Sequence, residues 1–431
     1  MSSAPVPEGQ SSPRRGAQTE NELRTRGRHR HGGAGRAADR AGVGREMKFR
    51  VAREVLADAV AWTARSLPPR PSVPVLAGIL LEVDGSQLSV SGFDYEVSAR
   101  AEVDVQSTES GRVLVPGRLL AEITRALPPH PVDITAEGPR LSIACGNARF
   151  SLPTLPVEDY PSLPSMPSSA GLVDSDVFAE AVGQVAVAAG RDDTLPMLTG
   201  VRLEIEDDLI TLAATDRYRL AVREFAWRPE TPGVSAAVLV PARTLADAAK
   251  TLTSGPEIVL SLSSGHSGEG ILGLSGKDRQ TTTRLLDAEF VKYRAIMPNE
   301  SNAFATLPVG LFTDAAKRVA LVAERGTPLR CEFTPGQVTL RAGGTDDEGQ
   351  AEERCDVEFD GEPLTIGFNP TFLLDGLAAV HTDRARMDFT SPLKPAVLSG
   401  VDEPAADDQP AAPAERGGSY RYLIMPVRLP G

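Results

Sequence analysis

One stretch of this chain occurs twice at a fixed interval, and that repetition constrains the architecture more than any other feature. Val115-Pro116-Gly117-Arg118-Leu119-Leu120-Ala121-Glu122 returns 125 residues later as Val240-Pro241-Ala242-Arg243-Thr244-Leu245-Ala246-Asp247. Arg125 then falls on Lys250 and Leu127 on Leu252. A third, looser copy runs from Asn369 to Val380, with Leu373, Asp375 and Val380 in the matching places and Thr371 and Ala378 where the cations stood. The spacing predicts a helix in each copy, and in the first two a proline just inside the first turn, where the missing N–H costs nothing.

A second helix repeats in the same way. Arg53–Val60 resembles Ser175–Val182 and, more distantly, Gly310–Ala316, each with apolar residues at i, i+3 and i+4. Between the helices lie alternating or β-branched runs, at 87–91, 132–135, 209–213, 258–262 and 338–341, that read as strands. The expectation is an α+β chain of three tandem domains, near 47–168, 169–298 and 299–431, each with two helices and antiparallel sheet.

The first 46 residues cannot join a core. They hold nine arginines and almost no large apolar side chain, so they read as a disordered basic tail or a mis-assigned start ahead of Met47, the reading we favour. An acidic Ala/Pro-rich segment, 401–418, reads as a flexible loop before a last strand.

Net charge is −13, which argues against a protein that grips DNA in a basic groove. It does not argue against one that holds DNA loosely inside a hole. No run of about 18 apolar residues is present, so no membrane span is expected. The cytoplasm is the expected compartment. Cys145, Cys331 and Cys355 are too scattered for a zinc site or a disulfide framework, and neither metal nor cofactor is expected.

No catalytic constellation emerges. His130, His266 and His381 lie apart; Gly276-Lys277-Asp278 lacks the pattern of a phosphate loop, and Gly265-His266-Ser267-Gly268 misses the nucleophile-elbow spacing. The charged helix positions are more informative. Arg118, Glu122 and Arg125, like Arg243, Asp247 and Lys250, sit at i, i+4 and i+7 and share one helical face. They form either a solvated, salt-bridged face or a set of cations aimed at phosphates. Few cations per domain would give weak, sequence-independent contact, which suits sliding.

From Met47 to Gly431 the chain resembles the bacterial β sliding clamp, the processivity subunit of DNA polymerase III. The resemblance is carried by Met47-Lys48-Phe49, by Arg70-Pro71-Ser72-Val73-Pro74-Val75-Leu76 and by Arg149-Phe150-Ser151-Leu152-Pro153-Thr154-Leu155-Pro156. It continues in Ala214-Thr215-Asp216-Arg217-Tyr218-Arg219-Leu220-Ala221 and in the ending Tyr422-Leu423-Ile424-Met425-Pro426-Val427-Arg428-Leu429. The resemblance implies a head-to-tail homodimeric ring around duplex DNA, opened by a separate clamp loader and lined by helices. Arg70 would then join Arg118, Arg125, Arg243 and Lys250 in facing DNA. Phe150 and Leu152 would meet Ala320 and Leu321 of a neighbouring copy.

The resemblance also implies a pocket that takes linear peptide motifs from the polymerase III catalytic subunit, the clamp loader, other polymerases and repair proteins. Its wall here would be Leu198, Thr215, Tyr218, Arg219, Leu220, Ile296, Asn369, Phe372, Leu393, Pro395, Ile424, Met425, Pro426, Val427 and Arg428, an apolar cleft with a few polar anchors. Met425 suits a surface that accepts many partners. The chain departs from the family at Val291, where proline is usual, and at Ala295 and Gly326. Two other readings are a divergent copy whose altered rim resists a pocket-binding inhibitor and a protein scaffold that binds no DNA.

Overall fold

The computed structural model describes residues 46–253, 255–263, 270–298, 300–324, 326–343, 349–401 and 419–429. The basic tail, the acidic loop from 402 onward and the Gly265–Gly268 stretch containing His266 lie outside them. Residues from Gly44 onward form one compact unit.

Seven helices lie among the described residues: α1 (Arg53–Thr63), α2 (Gly117–Ala126), α3 (Ser175–Ala186), α4 (Pro196–Thr199), α5 (Ala242–Thr251), α6 (Val309–Val319) and α7 (Pro370–Ala379). The two repeated sequences become pairs of touching helices: α1 with α2, α3 with α5, and α6 with α7. Equivalent positions do equivalent work. Leu56, Phe178 and Phe312 are fully buried, one from the first helix of each repeat. Leu120, Leu245 and Leu373 do the same from the second. Each such burial stabilises the fold by roughly 1.5–3 kcal/mol. Every strand run expected from the sequence falls inside an observed strand.

The prolines sit differently from the expectation. Pro116 and Pro241 are N-caps rather than first helical residues. The strands Gly111–Pro116 and Ser235–Pro241 run straight into their helices, and each is the last strand of its sheet. A sheet-edge position tolerates the missing donor just as a first turn would. In the third copy Pro370 does stand in the first turn, behind Asn369, whose side chain accepts from the N–H groups of Thr371 and Phe372 at 2.9 and 3.3 Å. That is the arrangement an asparagine cap is suited to.

The sheets cross the domain boundaries. The strand Arg279–Arg284 pairs with Val97–Asp104, fusing sheets of the first and second domains into one of nine strands. Arg219–Ala226 pairs with Tyr420–Ile424, making a second nine-stranded sheet from the second and third domains. At the two ends the sheets are smaller. A five-stranded sheet of the first domain stops at Ala148–Pro153, and a four-stranded sheet of the third stops at Ala351–Asp356. An ion pair between Arg279 and Asp58 further ties the first two domains. Among the described residues no helix is long and apolar enough to cross a membrane.

Candidate functional site

The turn between the strands Leu209–Thr215 and Arg219–Ala226 is built by its own polar side chains. Oδ1 of Asp216 accepts from the N–H groups of Tyr218 (3.0 Å) and Arg219 (3.1 Å). The Thr215 hydroxyl donates to the Arg219 carbonyl at 2.6 Å and accepts from Arg217 N–H at 3.2 Å. Arg217 sits at φ 81°, a region a bulky side chain enters only where the surroundings impose it. This lifts Tyr218 outward, 55% exposed.

Tyr218 stacks on Phe372 of α7, with ring centroids 6.2 Å apart and planes at 24°. Arg219 points the other way, into the junction. Its Nε donates to Asp216 at 2.9 Å, its Nη1 to Asp375 at 2.6 Å and to the Tyr422 hydroxyl at 3.4 Å. The guanidinium carbon lies 4.5 Å from the Phe372 ring centroid. Tyr422 in turn donates to the Phe372 carbonyl at 2.8 Å. Burial works against the Arg219 charge, but Tyr422, Asp375 and Asp216 outweigh it and hold its pKa above the ordinary value. Burial also raises the Tyr422 phenol. Gly376 is required here, because a Cβ would come within 2.5 Å of the Tyr422 ring.

The final strand completes the junction. Met425 N–H donates to the Tyr218 carbonyl and Val427 N–H to the Gly367 carbonyl, both at 2.8 Å. Ile424 lies opposite Arg219 in the ladder. Of the expected wall, Thr215, Tyr218, Arg219, Asn369, Phe372, Ile424 and Met425 are therefore brought together around one interdomain junction. Leu220 is buried in a small core with Phe290, Tyr293 and Leu423, against which Val291 packs. Leu198 is buried, and Pro395, Pro426 and Val427 are half-buried. Ile296, Leu393 and Arg428 stand exposed. Asp216, Asp375 and Tyr422, which hold Arg219, were not expected in the site, although Asp216 and Tyr422 lie within motifs that carry the resemblance.

The cations of α2 and α5 also behave differently from a salt-bridged face. Arg118, Arg125, Arg243 and Lys250 are exposed, and none forms an ion pair among the described residues. Arg118 reaches only the Pro68 carbonyl, at 3.3 Å. Arg70 is exposed too. At the ends of the molecule, Leu321 is 84% exposed and Phe150 37%. Leu152, expected beside Phe150 in a contact between copies, is buried in its own domain. Both point to one side of the strand, but the core covers Leu152 and stops short of Phe150.

A chain of three fused α+β units ending in two open sheet edges, with an aromatic pair on an internal interdomain junction, defines a DNA-clamp architecture. Models of the DNA polymerase III beta subunit match it in succession: the N-terminal domain over 47–164, the central domain over 172–292 and the C-terminal domain over 294–409. The beta sliding clamp of Streptomyces coelicolor is 57% identical over 385 residues, covering 89% of this chain and all of the relative. The beta sliding clamp homolog GriR of Streptomyces muensis is 44% identical over 384 residues, again 89% of this chain and all of the relative. Among solved structures, the Pseudomonas aeruginosa sliding clamp bound to griselimycin superposes with a TM-score of 0.79 at 27% identity, covering 89% of this chain and all of that one. The chain belongs to the DNA polymerase III beta subunit family, the sliding clamps, which are non-catalytic processivity subunits.

Proposed function

We propose that two copies of this chain close head to tail around duplex DNA, slide without reading sequence, and hold polymerases through a peptide seated in the Tyr218–Phe372 cleft. The observation that carries this reading is the count of strands at the open ends. The five-stranded sheet ending at Ala148–Pro153 has the same layout as the five second-domain strands ending at Arg279–Arg284. Likewise the four-stranded sheet ending at Ala351–Asp356 corresponds to the four first-domain strands ending at Val97–Asp104. Joined edge to edge, the two open ends of different copies would make the same nine-stranded sheet that both internal junctions have. A heterologous contact of this kind closes after two chains if each spans half a circle. It also removes exposed edges that would otherwise template aggregation.

The unpaired cations of α2 and α5 support a loose hold on phosphates, and encirclement then replaces affinity. A stacked tyrosine and phenylalanine beside an exposed methionine suit capture of apolar peptide side chains. The expected partners are duplex DNA, the polymerase III catalytic subunit, a clamp loader, and other polymerases and repair proteins, all met in the cytoplasm. The alternative of an inhibitor-resistant divergent copy is not favoured: identity is higher to the Streptomyces coelicolor clamp than to the GriR homolog. Retention on nicked circular DNA tests the reading. Protein that stays on circles and runs off linearised DNA supports it; equal retention on both, or a single-chain mass in light scattering at micromolar concentration, overturns it.

A further inference from the structure

The junction between the first and second domains repeats the one that holds Arg219, but with its filling removed. Register makes the comparison direct. Arg219 and Ala221 face Ile424 and Tyr422 across the second junction, while Val97 and Ala99 face Thr283 and Thr281 across the first. On the adjoining helix, Phe372 and Asp375 of α7 correspond to Thr244 and Asp247 of α5. Arginine, tyrosine and phenylalanine have thus become valine, threonine and threonine, while both carboxylates persist. Asp94 matches Asp216 down to its hydrogen bonds, with Oδ1 accepting from the N–H groups of Glu96 (3.0 Å) and Val97 (2.6 Å).

What the truncations leave is a hollow of about 260 Å³, bounded by Trp62, Asp94, Val97, Thr244, Asp247 and Thr281. Oδ2 of Asp94 and both carboxylate oxygens of Asp247 have no partner among the described residues. Trp62, buried, also lines the hollow, and Arg279 lies over its ring, 5.4 Å from the centroid. Arg65 and Arg243 also border the hollow but are exposed, and long cationic side chains keep their heads in water.

We propose that this hollow is a second recognition site, which receives the guanidinium of an arginine side chain from a partner polypeptide. The protein's own solution at the second junction is the argument. There an arginine lies between two carboxylates and against an aromatic face, and here two carboxylates and an aromatic face surround an arginine-sized gap. A planar guanidinium satisfies two carboxylates at once, which a point-charge ammonium does less well. The site is distinct from the Tyr218–Phe372 junction, and through Arg243 it borders the helix face proposed to meet DNA.

The chain has only two tryptophans, Trp62 and Trp227, so labelling the full-length protein with 5-fluorotryptophan gives one resonance at the hollow and one remote control. The probe is N-acetyl-arginine amide, with N-acetyl-lysine amide and inorganic phosphate as comparisons. A saturable shift of the Trp62 resonance alone is expected, with Kd on the order of 1 mM for so small a ligand. Asp247→Asn, at an exposed helix position, should weaken it about fivefold or more. Val97→Arg, which supplies the missing side chain in cis, should abolish it while the Trp227 resonance stays in place. No saturable shift up to tens of Kd, equal binding by Asp247→Asn, or a Trp62 response to phosphate but not to the arginine probe would each overturn the proposal.

Discussion

Arg219 and Asp375 are 156 positions apart in sequence and 2.6 Å apart in space, joined across the junction of the second and third domains. The pair positions α7 against the strand that carries Tyr218, so it sets the geometry of the cleft without lining its mouth. Replacing Asp375 with alanine leaves a guanidinium that is 8% exposed with Asp216 as its one remaining carboxylate, beside the Tyr422 hydroxyl and the Phe372 ring. Removing one partner of such a pair costs more than the pair contributed. We expect Asp375→Ala to lose about 2 kcal/mol in denaturant unfolding and to weaken a Leu/Phe-containing partner peptide about tenfold. Asp375→Asn, which keeps an acceptor, should recover most of both.

The cations of α2 and α5 give a sharper distinction between binding and stability. Neither Arg125 nor Lys250 uses its charge inside the protein, so the double alanine variant should melt as the parent does, within about 0.5 kcal/mol. Its retention on circular DNA should instead become less salt-dependent, with the slope of log K against log salt falling by about 0.9 for each phosphate no longer neutralised. A titration of retention against potassium chloride measures this. An unchanged slope would remove these helices from the DNA-facing surface.

Much of this arrangement was legible because repetition and periodicity are local signals. Leu56, Phe178 and Phe312 sit at corresponding places in three similar helices, and all three are buried for the same reason. Five of the strands could be read from alternation or β-branched content. What could not be read is which strand edges meet. Alternation tells a strand which face is covered, but it does not say that Arg279–Arg284 continues the sheet of another domain. Asp375 illustrates the same limit: on its helix it reads as a lone acid, with Thr371 and Ala378 where the other copies carry cations, and only the fold brings it to Arg219. Leu152 resembled Phe150 in pattern and differs only because the core ends between them.

The exposed Leu321 offers a test of closure that does not disturb folding. It stands 84% exposed on the turn after α6, away from the core. Lysine there costs a lone chain almost nothing, but in a seam it would bury a charge opposite Phe150. Leu321→Lys should raise the dimer dissociation constant by about a hundredfold, halving the mass seen by light scattering at low micromolar concentration with the melting curve of the monomer intact. A dimer of unchanged strength would place the contact between copies elsewhere.

Glu204 makes the hold on Tyr293 and Arg294 sensitive to acid. Its carboxylate accepts from the Tyr293 hydroxyl at 2.9 Å, from Arg202 at 3.2 Å and from Arg294 at 2.6 Å, fixing the segment that contains Val291 and leads to Ile296. Burial alone would raise its pKa, but the Tyr293, Arg294 and Arg202 donors outweigh burial and hold it below the ordinary value of 4.5. Folding is therefore linked to an ionised Glu204. Its contribution is complete above about pH 4.5 and is lost as the pH falls through the lower folded value. Glu204→Gln keeps an acceptor for Tyr293 but removes the charge. It should cost about 1 kcal/mol at pH 7, a figure reduced for the partial exposure of Arg294, and should flatten the fall in urea midpoint below pH 4.5. Should the variant and parent lose stability in parallel through that acid range, the protonation that matters belongs to another carboxylate, and the segment is held by the packing of Phe290 and Tyr293 alone.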